Sequence, residues 1–264
     1  MKTLFVSWKA TPNVGGWFPV GRLDADIAGE RYEFRYVQGA LQAAEERGFV
    51  PFDSFPDFRK EYVSGELFPF FANRVQNKSR PSFREYLHRL DLDKGQERFD
   101  PIEALAVSEG RRATDSLEIF PKVERTEGSP FAIKFFLHGL QYLNSASTAR
   151  IENLKQNEDL SVAVEVNNPA THYAVQLQTR DRMLVGYAPR YLISDLFQVI
   201  VRCEYPVSAQ ISRVNLPPAP PSQRLLVLFE GCWPEGYQPM DGPEFKALSG
   251  MQAQKPMKEA EVRI

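Results

Sequence analysis

Side chains able to act as nucleophiles, metal ligands or proton carriers near neutral pH are scarce in this chain: three histidines (His88, His138, His172) and two cysteines (Cys203, Cys232) in 264 residues. Metal sites draw on such groups in closely spaced pairs, and neither a Cys-x-x-Cys pair nor a Cys/His spacing is present. His138 lies inside the apolar run "FFLHGL" and His172 in a turn, where an imidazole reads as a packed or surface group with no catalytic task. The carboxylate pairs Asp24/Asp26 and Glu45/Glu46 fall in polar stretches that solvation explains without acid–base work. Motifs that cradle phosphates, hold zinc on a helix or raise a nucleophilic serine (GxxxxGK[ST], GxGxxG, HExxH, GxSxG) are all missing. The expectation is a non-enzymatic protein with no metal and no cofactor, whose chemistry is that of binding.

Binding chemistry would have to come from cations and rings. Net charge is -2, so no global excess of positive charge marks a nucleic-acid binder. One stretch departs from this balance. "RVQNKSRPSFREYLHR" carries Arg74, Lys78, Arg80, Arg84 and Arg89 against the single acid Glu85. It reads either as a solvated loop and helix face or, through Arg74, Lys78, Arg80 and Arg84, as an accessory basic surface.

The elements that must carry these groups follow from periodicity. "RYEFRYV" puts Tyr32, Phe34 and Tyr36 on one face and Arg31, Glu33 and Arg35 on the other, and with "FPVGRLDA" predicts a half-buried antiparallel hairpin. "FVPFDSFPDF", broken by Pro51 and Pro56, predicts an extended packed loop. Ser82, with Glu85 three residues on and Phe83, Tyr86, Leu87 and Leu90 in helical spacing, predicts a helix begun by a capping box. A second helix is expected from Asp100 and Pro101 to about Gly110. Residues 121–130 are polar and bounded by proline and glycine, which suggests a linker. Beyond it, "FAIKFFLHGLQYL", "LSVAVEV", "YAVQLQT", "MLVGYA" and "RLLVLFE" predict strands. Pro189 should introduce a helix with Leu192, Ile193, Leu196, Phe197 and Ile200 on its apolar face. The division is therefore an α+β domain over 1–120, a linker over 121–130, a β domain with a C-terminal strand extension over 131–250, and a flexible tail over 251–264. No apolar run reaches the roughly 20 residues of a membrane span, and the N-terminus lacks a signal-peptide core, so the expected location is the cytoplasm.

Two resemblances extend this reading. "FFLHGLQYL", the Asn-Asn-Pro turn with "YAVQL", and "LVGYAPRYL" feeding a helix together resemble the HIRAN domain, over about residues 131–200. That resemblance implies an OB- or SH3-like β-barrel that grips the unpaired 3′ end of a DNA strand. On this chain it points to Gln141 and Tyr142, where the family has Arg-Tyr. It points also to Thr171 and His172, after a turn in which the family's Tyr-Asp is here Ala170-Thr171, and to Tyr187 and Arg190 of the intact Gly-Tyr-x-Pro-Arg element. Lys134, Arg180, Arg182 and Arg190 are the cations available to such a surface. The stretch "VGRLDADIAGERYEFRYV" followed by "SGELFPFFANRV", within residues 4–92, is similar to the N-terminal subdomain of HipA-type toxin kinases, which carries none of the kinase's catalytic residues. The leading expectation is a binder of single-stranded DNA or 3′ DNA ends that uses the first domain for protein docking or clamping. The alternative is a regulatory, antitoxin-like subunit of a HipA-like kinase; either suits a bacterial stress or phage-defence setting.

Overall fold

The computed structural model describes residues 1–10, 16–93, 99–112, 114–125 and 130–248. It is a mixed α+β protein with two antiparallel sheets. The first sheet holds β1 (Lys2–Lys9), β2 (Trp17–Asp26), β3 (Arg31–Tyr36), β4 (Tyr62–Ser64) and β5 (Leu117–Pro121), in the order β4-β3-β2-β1-β5. The predicted hairpin is β2–β3, with Tyr32, Phe34 and Tyr36 buried. Its neighbour β1, "KTLFVSWK", is buried over Thr3–Ser7 because it lies inside the sheet between β2 and β5. The helices α1 (Gln38–Arg47), α2 (Pro69–Ala72), α3 (Phe83–Arg89) and α4 (Pro101–Ser108) belong to this half.

The proline-broken phenylalanine stretch folds as an extended loop around the hairpin face. Phe55 stacks on Phe34 with ring centroids 4.0 Å apart. The Tyr36 hydroxyl donates to the Phe55 carbonyl at 2.8 Å and accepts from the Phe52 amide at 2.7 Å, so the loop's backbone polar groups are satisfied by a buried side chain. Each such buried ring is worth roughly 1.5–3 kcal/mol of transfer free energy. Asp100 caps α4 as expected, accepting from the Ile102 amide at 2.8 Å. The capping box at Ser82 does not form: its hydroxyl accepts instead from the Gln76 side-chain amide at 2.8 Å, and its backbone is not extended.

The second sheet holds β6 (Pro130–Phe136), β7 (Asp159–Asn168), β8 (His172–Gln178), β9 (Leu184–Tyr187), β10 (Ser208–Val214) and β11 (Leu225–Cys232), in the order β6-β11-β10-β7-β8-β9. Helix α5 (Ser145–Glu152) precedes β7, and α6 (Arg190–Arg202) follows β9 with Leu192, Ile193, Leu196 and Val199 buried. The expected closed barrel is not found. The sheet's two edges meet only at His138 and Tyr187, whose amides and carbonyls bond reciprocally at 2.9 and 3.0 Å. Four-residue β9 is too short to extend that bridge into a ladder. Gly186 permits the approach: at φ +149° a Cβ there would sit 2.8 Å from the Leu137 Cβ.

The two sheets share a core. Phe5, Val37, Phe120 and Val123 pack in one cluster with Phe135, Val175, Leu196 and Phe229, while Tyr86, Leu90 and Val107 pack on Phe136 and Leu226. Within the stretch expected to be a linker, Pro121 ends β5, Lys122 donates to the Thr3 carbonyl at 2.9 Å, Val123 is buried and Pro130 opens β6. Residues 126–129 of that stretch and the tail over 251–264 lie outside the described residues. Among the described residues no helix is long and apolar enough to cross a membrane, and Cys203 and Cys232 are both free thiols.

Candidate functional site

A buried charge network joins the two sheets. Helix α4 ends with Glu109 and Gly110 both left-handed, at φ 58° and 53°. For a non-glycine residue this costs about 1–2 kcal/mol, and the contacts made by the Glu109 carboxylate offset it. Glu109 is 2% exposed. Its oxygens lie 2.9 and 3.0 Å from Nε2 of His138, just beyond β6, and accept from Arg111 Nε at 2.8 Å and from the Tyr191 hydroxyl of α6 at 3.2 Å. The Arg111 guanidinium also bonds Glu118 on β5 and lies 3.2 Å from His138 Nε2.

Burial works against the Glu109 charge, but His138, Arg111 and Tyr191 outweigh it and hold its pKa below the ordinary carboxylate value. Glu118 goes the other way: burial and the neighbouring Glu109 charge push its pKa up, against Arg111. Burial and the two glutamates push the Tyr191 hydroxyl well up. The ligand atoms of Glu109, Glu118 and His138 lie within 4.8 Å of one another, a spacing that suits a cation, and the guanidinium of Arg111 binds both carboxylates there.

On one side of this network lies a cavity of about 650 Å³ between the first sheet, the start of β8 and the first turns of α6. Aromatic side chains supply much of its wall: Trp17, Phe120, Tyr173, Tyr191, Tyr237 and Phe245. Tyr191 stacks on Phe120 at 4.1 Å with the planes 4° apart, so a flat face is already built there. Glu118, Asp195, Asp241 and Glu244 reach the same cavity. Asp195 is 5% exposed and accepts from the Tyr237 hydroxyl at 2.6 Å and the Met240 amide at 3.3 Å; burial outweighs those bonds and pushes its pKa up. Carboxyl oxygens on this wall can accept hydrogen bonds from the N–H donors of a planar ligand. Arg190, first residue of α6, is the one cation on the wall among the described residues, and it has no ion pair with any of them. A planar, hydrogen-bonding molecule with an anionic group at the mouth is what such a cavity can hold.

The residues singled out from the sequence do not converge on one spot. Thr171 and Arg190 both line the cavity. The Thr171 hydroxyl and amide, with the Ala170 amide, bond the Asn168 side-chain oxygen at 3.0–3.2 Å, which fixes the turn ahead of β8. His172 opens β8 in a left-handed conformation and is exposed. Arg182 stands in the turn beyond the other end of β8, roughly 20 Å away at about 3.4 Å per residue. It cannot share a nucleotide-sized site with Thr171. Arg180 is paired with Asp159 at 2.5 Å and Lys134 with Asp91 at 2.7 Å. Tyr187 is half-buried; its ring lies over Gly139, where a Cβ would come within 2.7 Å of it, so it packs the edge-to-edge bridge and offers no open face there. Gln141 and Tyr142 form an exposed 3₁₀ turn, Tyr142 at 83% exposure, beside the turn over Pro221–Gln223. Of the basic stretch, Arg74, Lys78 and Arg80 line a second cleft and Arg84 does not.

Sequence reasoning missed the cavity's rings and carboxyls. Tyr191 adjoins the Gly-Tyr-x-Pro-Arg element and could have been noticed, whereas Trp17, Glu118, Phe120, Asp195 and Tyr237 come from four separate parts of the chain with no local pattern. Family models, curated proteins and solved structures were all compared with this chain, and none of the three gives a significant match.

Proposed function

We propose that this protein binds an unpaired stretch of DNA, at or near a 3′ end, and performs no chemistry on it. The observation that carries the reading is the cavity that gathers Thr171 and Arg190 with six aromatic side chains and four hydrogen-bonding carboxyl groups. A base held by stacking contributes roughly 1–3 kcal/mol. The carboxyl groups can accept from donors on a base edge, and Arg190, at the start of a helix and with no ion pair among the described residues, supplies the charge that a phosphate needs. The HIRAN-like order of motifs supports the same reading. In it, the second sheet with its His138–Tyr187 bridge is an opened relative of an OB- or SH3-like barrel, the first sheet acts as a clamp packed against it, and the setting is cytoplasmic.

The test is fluorescence anisotropy of a labelled single strand and a blunt duplex with wild type and with Ala170→Trp. Ala170 is exposed on the cavity wall, so a tryptophan there obstructs the space without cutting into the core. Wild type should prefer the single strand, and Ala170→Trp should lose that preference at an unchanged melting temperature. Equal binding by the variant would overturn the assignment.

A further inference from the structure

Arg111 also lines a second cleft, of about 930 Å³. Its charge is one-sided. Arg74, Lys78, Arg80, Arg89, Arg111 and Arg112 line it, and among the described residues no aspartate or glutamate does. They come from the basic stretch and from the segment after α4, so the fold has added Arg111 and Arg112 to a run that was visible in the sequence. Three of the six are already neutralised: Arg74 by Asp115, Arg89 by Glu85, and Arg111 by Glu109 and Glu118. The other three, Lys78, Arg80 and Arg112, are exposed and have no carboxylate partner among the described residues. Lys78 sits over the Phe99 ring at 5.1 Å, and the Arg112 guanidinium bonds the Asn73 carbonyl. The Nε donors of Arg74 and Arg89 are buried with no acceptor among the described residues.

We infer that this cleft binds the phosphodiester backbone of a single-stranded nucleic acid, as a site separate from the base-holding cavity. The inference rests on the single-strand reading above and extends it to a second surface. Three cations without a carboxylate partner, in a wall that has no carboxylate among the described residues, favour a polyanion there. Guanidinium groups match phosphate oxygens bidentately. Asn73, Gln76, Asn77 and Gln223 add amide donors of the kind that bond phosphate and sugar, and Phe99 adds a ring beside them. Arg111 touches both places at once: it lines the cleft and holds Glu118, which lines the cavity. The backbone site and the base site are therefore one side chain apart.

The experiment compares wild type, the triple variant Lys78→Gln/Arg80→Gln/Arg112→Gln and Ala170→Trp. Affinity for a labelled single strand is measured as a function of salt, and the thermal shift caused by inorganic tripolyphosphate is measured alongside. Losing three phosphate contacts should reduce the magnitude of the log–log salt slope by about 2 and weaken binding about tenfold or more near 50 mM salt, equally across sequences. The tripolyphosphate shift should vanish in the triple variant and persist in Ala170→Trp. A triple variant with the wild-type slope overturns the cleft, and if Ala170→Trp loses binding at the same time, the cavity reading stands alone. The reverse pattern, loss in the triple variant with Ala170→Trp unaffected, keeps the cleft and removes the cavity. Protection by tripolyphosphate without any strand binding reduces the cleft to a small-anion site and overturns the inference, as does the absence of both effects.

Discussion

Replacing Arg111 by methionine should destabilise the fold by an amount that can be traced to one carboxylate. Arg111 holds Glu109 at 2.8 Å and also Glu118. Without it, Glu109 keeps the His138 imidazole at 2.9 Å and the Tyr191 hydroxyl at 3.2 Å. Glu118, 4% exposed, loses the only side-chain partner it has among the described residues. Breaking a buried pair in this way costs roughly 3–5 kcal/mol. Because the Arg111 side chain is 32% exposed, some water reaches the site, and about 3 kcal/mol is the better figure. In a protein of this size that is a fall in melting temperature of roughly 6–12 °C. Changing Glu118→Gln in the same chain removes the stranded charge, so the double variant should recover most of the loss and lie within about 1 kcal/mol of wild type.

The pH dependence has a definite sign. The Glu118 carboxyl already has a folded-state pKa above 4.5, and losing Arg111 raises it further. A group whose pKa is raised on folding favours the folded state below its unfolded value and loses that contribution as pH rises through the folded one. The deficit of Arg111→Met should therefore be smaller near pH 5 than at pH 7.5. Urea unfolding of wild type, both single variants and the double variant at the two pH values measures all of this. A single Arg111→Met variant within about 1 kcal/mol of wild type, or a double variant no better than Arg111→Met, would refute the reasoning.

Tyr142→Ala should leave stability within about 0.5 kcal/mol of wild type, since the ring is 83% exposed. Because Tyr142 does not line the cavity, strand binding in the anisotropy assay should be unchanged as well; a loss of roughly 1–3 kcal/mol would place a stacked base on this turn. Gly186→Ala should cost about 1–3 kcal/mol in urea unfolding, because φ +149° is strained for alanine and its Cβ would lie 3.1 Å from the His138 carbonyl. A neutral result would mean that the bridge gives way easily. Asp91 is disfavoured by burial, yet hydrogen bonds from Lys134, Arg213 and Ser212 outweigh this and take its pKa down to about 2. Its contribution is present above pH 3.8 and lost as pH falls toward about 2. Asp91→Asn should thus be less stable than wild type at neutral pH and converge with it in acid, as followed by near-UV circular dichroism.

Local patterns were legible where one residue's neighbours in sequence are also its neighbours in space. The alternation of Tyr32, Phe34 and Tyr36 predicted a buried hairpin face, Asp100-Pro101 started α4, and the spacing of Leu192, Ile193 and Leu196 marked the buried stripe of α6. Failure came where tertiary contacts decide. The Ser82 hydroxyl found a nearer partner in Gln76 than in its own helix. His138 is packed, as read, but nothing local pointed to its partner, a carboxylate 29 residues away. The cavity draws on Trp17 and on Tyr237, and no spacing rule connects residues so far apart. Arg74, Lys78 and Arg80 were visible as charge, but Arg111 and Arg112 join them only because α4 and the turn after it bring Ser108, Arg111 and Arg112 to the same cleft.

Photo-crosslinking tests the central claim most directly: a single strand carrying 4-thiothymidine at its 3′-terminal position is irradiated with the full-length protein, and the crosslinked peptides are mapped by mass spectrometry. The account expects crosslinks in the peptides that hold Trp17, Tyr173, Tyr191 or Tyr237, lost in Ala170→Trp. Crosslinks confined to the turn at Arg182, or an undiminished yield in Ala170→Trp, would contradict it.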